Sequence, residues 1–334
     1  MREKPRLSLK KVLTVVMASS LCVPGFHVGL NGGTTSFSSS LAQRSSKVDV
    51  FDPDRQREVS VESEDLIISL TRVEPCGDCG GGKSFTFEVK DKRRATKSFF
   101  TIRNDTAQVD EIVIVNPSRA VVVGSVSGTV RIVNVIDLRA GAVVDHFYCH
   151  FPSVYGQFIA YVKFTPRYST QPGWWSAVYL VYDATASPMQ NRLHYRQGLE
   201  NHENVGIPIY PPENVERRVY YPVISGEEEA HQLASDGLFW LREGVVAFVD
   251  RWKKANHLVV VDVGSGIVRP KVKVKTIDTW AVLDLAQCEE TEHPENLIYV
   301  QEIHLLEEKA GYVRLHFTPR DSCLRISTLD LPIR

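Results

Sequence analysis

VRIVNVIDLRAGAVV, residues 130–144, is an apolar run of Val and Ile that stops at Asp137 and turns through Arg139-Ala140-Gly141. β-branched residues in a short run suit a pleated strand. An Asp at the end suits a turn, because its carboxylate accepts the backbone N–H two residues on. The pattern recurs: AVYLVYDATASP (177–188) ends its strand at Asp183, HLVVVDVGSGIV (257–268) at Asp262 and LRISTLDLP (324–332) at Asp330. Small residues follow the Asp in the second and third copies, and Gly closes the turn in the first and third. A further strand precedes each copy: RAVVVGS (119–125), GQFIAYVKF (156–164), GVVAFVDRW (244–252) and AGYVRLHF (310–317). The phrase Phe-Thr-Pro-Arg also appears twice, at 164–167 and 317–320.

Strand, loop, strand ending in Asp, tight turn and outer strand make up one blade of a propeller. The expected fold is therefore all-β, a β-propeller-like array of antiparallel blades, incomplete or irregular, with a β-sandwich as the alternative. On CHFPSVYGQFIAYVKF (149–164) followed by VYLVYDATA (178–186), the chain resembles the WD-like repeat of secreted β-propellers such as the periplasmic Tol-system propeller. That family often carries Ser-Pro-Asp-Gly before its Ile-Ala-Phe strand, where this chain has Ser153-Val154-Tyr155-Gly156. The resemblance covers three or four units within 110–330 and implies a rigid scaffold whose function sits in its loops. The four Asp positions lie 46, 79 and 68 residues apart. A blade runs about 40–45 residues, so insertions or degenerate blades are expected.

The longest interruption is residues 187–235, rich in Pro, Asn and aromatics, and long loops inside compact domains are commonly functional. Ser225 with Glu228 fits a capping box opening a short helix over 226–234. Ahead of the repeats, 60–108 reads as strands at 65–73 and 84–89 around a Gly-rich loop, then a strand near 98–103. The organisation read from the chain is a signal peptide over 1–42, a β-hairpin region over 43–109 and a propeller-like domain over 110–334.

Arg2, Lys4, Arg6, Lys10 and Lys11 open the chain, Val12 to Leu30 carries no charge, and small residues gather near Ser40-Leu41-Ala42. That is the pattern of a secretory signal cleaved after Ala42, and an extracytoplasmic location is expected. The alternative is an uncleaved anchor, which Pro24, Gly25 and His27 interrupt. No later segment is apolar for long enough to span a membrane. With 43% hydrophobic and 24% charged residues, the chain of 334 residues falls among globular proteins rather than disordered or collagenous ones. Without residues 1–43 it holds 34 basic and 39 acidic residues, a net charge of −5 that argues against nucleic-acid partners. The expected partner is a protein or a small-molecule ligand. Five cysteines follow the signal (Cys76, Cys79, Cys149, Cys288 and Cys323), and an odd count leaves one thiol free or paired between chains.

Gly77-Asp78-Cys79-Gly80-Gly81-Gly82-Lys83-Ser84 matches the nucleotide-binding loop pattern G-x-x-x-x-G-K-[ST]. Such a loop needs a helix directly after it to supply amides and dipole. SFTFEV (84–89) alternates like a strand, which favours a hairpin loop and leaves nucleotide binding the weakest option. Cys76 and Cys79 in that loop are read as a local disulfide; no second Cys-x-x-Cys exists to complete a four-cysteine zinc site. Asp145-His146-Phe147-Tyr148-Cys149-His150 crowds metal-capable groups, but on a strand His146 and His150 stand roughly 13 Å apart. Lys90, Lys92, Arg93, Arg94 and Lys97, and the alternating Lys271, Lys273 and Lys275, read as solvated faces. Asn104-Asp105-Thr106 is a glycosylation sequon for a eukaryotic secretory route. No nucleophile elbow or His-Glu-x-x-His helix is present, and neither catalytic residues nor a metal or cofactor is assigned. Binding is assigned to the insertion, through His202, Tyr210, Arg217, Arg218, Tyr220 and Tyr221, because aromatics and Arg on loops build binding surfaces. Function is therefore expected to be non-catalytic binding or scaffolding, with an exported propeller hydrolase or lyase as the alternative.

Overall fold

The computed structural model describes residues 58–166, 175–192, 205–211, 230–264, 270–288, 298–309, 312–319 and 323–332. The chain folds as successive antiparallel sheets. The first holds β1 (Ser60–Glu62), β2 (Leu66–Pro75), β3 (Lys83–Asp91) and β4 (Thr96–Ile102) in chain order. Next comes a hydrogen-bonded run of seven strands, which a bend in the fourth of them divides into two halves, the second and third sheets. The second holds β5 (Gln108–Asn116), β6 (Arg119–Ser125), β7 (Arg131–Asp137) and the first part of β8 (Ala142–Tyr155). The third holds the last part of β8 with β9 (Phe158–Pro166), β10 (Trp175–Asp183) and β11 (Ile207–Tyr210). In the fourth, β12 (Gln232–Leu233) and β13 (Phe239–Arg242) both pair with β14 (Val245–Trp252), which pairs with β15 (Ala255–Asp262) and it with β16 (Lys271–Ile277). A fifth sheet holds β17 (Val300–Lys309), β18 (Tyr312–Pro319) and β19 (Thr328–Pro332).

β8 is shared because it breaks its register between His150 and Ser153, where Phe151 adopts φ 49°. Its first part pairs with β7 and its last part with β9. A bulge of this kind bends a strand, and here it folds the third sheet back over the second: Phe147 of β8 lies 4.9 Å from the rings of both Tyr161 and Tyr182.

Four apolar layers alternate with the five sheets. Phe85, Phe87, Phe100 and Ile102 of the first sheet meet Ile112, Ala120, Val122 and Ile136 of the second. The opposite face of the second sheet (Val121, Val133, Val135, Phe147) meets Ile159, Tyr161, Val178 and Leu180 of the third. Ala160, Val162, Tyr179 and Val181 then meet Trp240, Val246, Phe248 and Val259, and Ala247, Val249, Leu258 and Val260 meet Ile303, Leu315, Phe317 and Leu331. Strands buried on both faces read as continuous apolar runs, which is why β6, β10, β14 and β15 were so plain in the sequence. β3, buried on one face, alternates instead.

The two outer faces are polar. On the first sheet Ser60 bonds Ser69, Thr86 bonds Thr101, and Glu88 holds both Lys90 and Lys97 at 3.0 Å. On the fifth, Arg314 holds Asp330 at 2.8 Å and His304 holds Glu302 at 3.0 Å. Among the described residues no strand of the fifth sheet pairs with the first. Among those residues the fold is thus a propeller-like series of stacked antiparallel sheets in which no strand pairing closes the series.

Each of the four expected strand pairs forms: β6 with β7, β9 with β10, β14 with β15 and β18 with β19. The turn device is equally plain. Asp137 Oδ1 accepts from the amides of Arg139 and Ala140, Asp183 Oδ1 from Thr185 and Ala186, and Asp262 Oδ1 from Gly264. Two corrections apply. Asp330 lies inside β19, ion-paired to Arg314 across the strands, so it starts no turn. Asp91 does, accepting from the amides of Arg93 and Arg94; it sits 46 residues before Asp137, which sits 46 before Asp183. Within the region expected as a β-hairpin, the described residues 60–102 form a four-stranded sheet that shares a core with its neighbour. The helix expected over 226–234 is not what its described part forms, because Gln232 and Leu233 pair with β14 as β12. The basic run 90–97 is neutralised locally: Lys92 reaches Glu62, Arg93 reaches Asp65, and Glu88 sits below its ordinary pKa through its bonds to Lys90 and Lys97. No helix among the described residues is long and apolar enough to cross a membrane.

Phe87 stacks on Phe100 at 4.7 Å inside the first core, whereas Phe99 is 56% exposed on the outer face. Phe87→Ala is expected to cost about 3–5 kcal/mol in urea unfolding. Phe99→Ser is expected to stay within about 0.5 kcal/mol. Asp137 is held below its ordinary pKa of 3.8 by the Ala140 amide first, with Arg139 and Arg119 adding to it. Asp137→Ala is expected to cost about 1 kcal/mol at neutral pH. Because the folded pKa is depressed, that difference is complete well above 3.8 and shrinks as pH falls through the lower folded value, which urea titrations at stepped pH would read.

Candidate functional site

Asp250 interrupts the apolar run of β14 and is fully buried, at 0% exposure. A buried carboxylate is tolerated only with partners. Tyr179 of β10 donates its hydroxyl to Asp250 Oδ1 at 2.7 Å, and His231 Nδ1 lies 2.6 Å from Asp250 Oδ2. His231, 2% exposed, is fixed again through its backbone: its N–H donates to Ser176 Oγ at 3.1 Å and its carbonyl accepts from Ala177 N at 2.7 Å. Aromatic rings enclose the pair, with Trp252 stacked on His231 at 5.1 Å and Tyr210 edge-on to it at 5.3 Å. Burial, then the charge of Asp250, pushes the Tyr179 phenol well above its ordinary pKa, so it stays a donor.

This network joins the third and fourth sheets where the insertion leaves and re-enters the fold. The insertion starts in α1 (Pro188–Arg192), whose Asn191 exchanges two hydrogen bonds with the backbone of Asp183. It passes through β11 on the edge of β10 to a cis Tyr210–Pro211 bond and returns at Ala230 to β12. Chemically, Asp250 sets the orientation and proton position of His231, as in acid–base pairs. The nearby Ser176 hydroxyl, however, accepts the backbone N–H of His231, so no serine nucleophile is aligned by that bond. The arrangement anchors the loop.

Tyr210, expected on a binding surface, is an interior residue, 1% exposed and packed on Tyr179, Phe248 and His231. His202, Arg217, Arg218, Tyr220 and Tyr221 lie outside the described residues. His231 and Asp250 were missed; the available signal was an Asp inside VVAFVDRW, where an unbroken apolar strand is the norm. Cys76 and Cys79 form a disulfide, as do Cys288 and Cys323, whose pairing was left open. Among the described residues Cys149 is the free thiol, and burial raises its pKa far above the ordinary range.

The other motifs resolve on geometry. Lys83 and Ser84 begin β3 with no helix between them and the Gly loop. Two of the loop's amides are already used, Gly81 N donating to Asn104 O and Gly82 N to Cys79 O. A Cβ on Gly80 would fall 1.5 Å from Asp105 Oδ1, and one on Gly81 2.4 Å from Thr106 O, so these glycines admit the neighbouring chain rather than a phosphate. In β8, Asp145 takes the Tyr182 hydroxyl while His150 bonds Thr129 O at 3.0 Å, and the metal-capable groups do not converge. The Asn104 amide donates to Asn134 Oδ1 at 2.5 Å, which occupies the nitrogen a glycan would need.

No protein-family model and no curated protein matches the chain. Solved structures similar to it include an uncharacterised protein of Listeria monocytogenes EGD-e, at 11% identity and a TM-score of 0.34, covering 82% of this chain and 65% of that one. Kluyveromyces lactis Hsv2 is similar at 10% identity and a TM-score of 0.30, covering 65% of this chain and 60% of that one. This chain thus spans less than two thirds of either. The β-propeller domain of the Trilobed protease from Pyrococcus furiosus is similar at 9% identity and a TM-score of 0.24, covering 82% and 95%. Likenesses this distant assign no activity.

Asp250→Ala leaves a buried hydroxyl and a buried imidazole without their acceptor, and is expected to cost about 2–4 kcal/mol. Tyr179→Phe, which removes one donor only, is expected to cost about 1 kcal/mol. Chemical denaturation of both variants and of the double mutant checks this, the double mutant falling short of the sum because the two share one bond.

Proposed function

We propose that the protein is an exported, non-catalytic binding protein of the secreted, WD-like propeller type, which takes a protein or small-molecule ligand through residues 212–229. The observation that carries this is the clamp at the loop's base. Tyr210 and His231, on either side of the excursion, have ring centroids 5.3 Å apart and share a buried network that spans two sheets. Loops whose ends lie close together on a folded base are frequently functional. Its sequence, PENVERRVYYPVISGEEE, carries Arg217, Arg218, Tyr220 and Tyr221, the residue types that concentrate binding energy. Two disulfides suit an oxidising compartment, in keeping with the basic and apolar opening of the chain.

Replacing residues 212–229 with a short Gly-Ser linker is expected to leave the circular dichroism spectrum and urea midpoint near wild type. Crosslinking in the host's envelope fraction should then recover one stoichiometric partner on the wild type and none on the variant. Equal capture by both would refute the loop as the binding element. A solitary protein that turns over a substrate in a screen would replace binding with the hydrolase or lyase alternative.

A further inference from the structure

Three metal-capable atoms, from Cys76, Asp78 and Cys79, lie within 4.8 Å of one another at the tip of the β2–β3 hairpin. Asp78 Oδ1 is 3.0 Å from Cys76 Sγ. A sulfur in a disulfide has no proton to donate, so that approach makes no hydrogen bond in the oxidised protein; it places a carboxylate beside both sulfurs. The loop is also held by contacts that do not involve sulfur. Cys76 N donates to Gly82 O at 3.0 Å, Gly82 N donates to Cys79 O at 2.9 Å, and Gly81 is pressed against the backbone of Asp105 and Thr106 so closely that it tolerates no Cβ. Opening the disulfide therefore leaves both cysteines in place, with Cα atoms 5.4 Å apart. Two thiolates on one zinc at about 2.3 Å each stand roughly 3.8 Å apart, within reach of such a pair.

We propose that this loop is a redox-gated site for zinc, bound by Cys76, Cys79 and Asp78 with solvent in the fourth position. A thiol reductant supplies two electrons and two protons, becoming oxidised itself, and the Cys76–Cys79 bond breaks to give two thiols. Zinc then displaces both protons and takes the two thiolates, soft ligands suited to it, beside the Asp78 carboxylate. Reoxidation by a small-molecule disulfide, which takes the two electrons and leaves as two thiols, re-forms the Cys76–Cys79 bond; the sulfurs lose their thiolate charge and the metal is released. This site is independent of the 212–229 loop.

The test is a zinc titration of the full chain, read by competition with a chromophoric chelator, before and after reduction with a phosphine. The reduced protein is expected to bind one equivalent and the oxidised protein none. In the reduced state Cys79→Ser should abolish binding, and Asp78→Asn, which leaves the hairpin and both sulfurs intact, should weaken it at least tenfold. Cys288→Ser and Cys323→Ser together should leave it unchanged, which separates this loop from the second disulfide. No zinc on the reduced wild type, or equal binding by Cys79→Ser, overturns the proposal.

Discussion

Each inner strand of this protein has two faces to bury, and a sheet with two apolar faces is soluble only between two others. That constraint sets the architecture. The second, third and fourth sheets carry Val, Ile, Tyr and Phe on both sides and are covered on both, through the four apolar layers that alternate with them. Stacking stops where one face turns polar. The Ser, Thr and Glu–Lys face of the first sheet and the Arg314–Asp330 face of the fifth are the two ends. An apolar outer face on either would have called for another sheet, or for closure into a ring.

Stacked apolar faces resist separation but set position along one another weakly, because dispersion and the hydrophobic effect have little direction. Between the third and fourth sheets direction comes from Asp250, whose two oxygens are taken by groups that arrive from different elements, Tyr179 of β10 and His231 at the return of the insertion. Moving either element would strand a buried carboxylate. The same bonds hold the base of the long insertion, so the interface that aligns two sheets also presents the loop. At the other end of the stack, the close approach of Gly80 and Gly81 to residues 105–106 does the comparable work for the first two sheets.

The strands and their pairing were legible because burial on two faces leaves a run of apolar β-branched residues that nothing else produces at that length. The turn Asp was legible for a local reason, an acceptor reaching an amide two or three residues on. Asp91 carries no such local mark, because its strand, Lys83–Asp91, alternates and ends in charged residues; around Asp330, LDLP has the composition of a turn while its backbone continues the ladder. Tyr210 was placed on a surface for its composition, and the tyrosines of the interior, Tyr161, Tyr179 and Tyr182, show how poor a guide that is here.

By itself the sequence determined the all-β class, the strand pairs and the repeated Asp turn, since each depends on neighbours a few residues apart. The tertiary structure alone decided how the sheets stack, that Cys288 pairs with Cys323, and that His231 meets Asp250. Those outcomes join groups from separate sheets and loops. Which partners meet across such distances follows from how the faces pack, and no local pattern of residues records it.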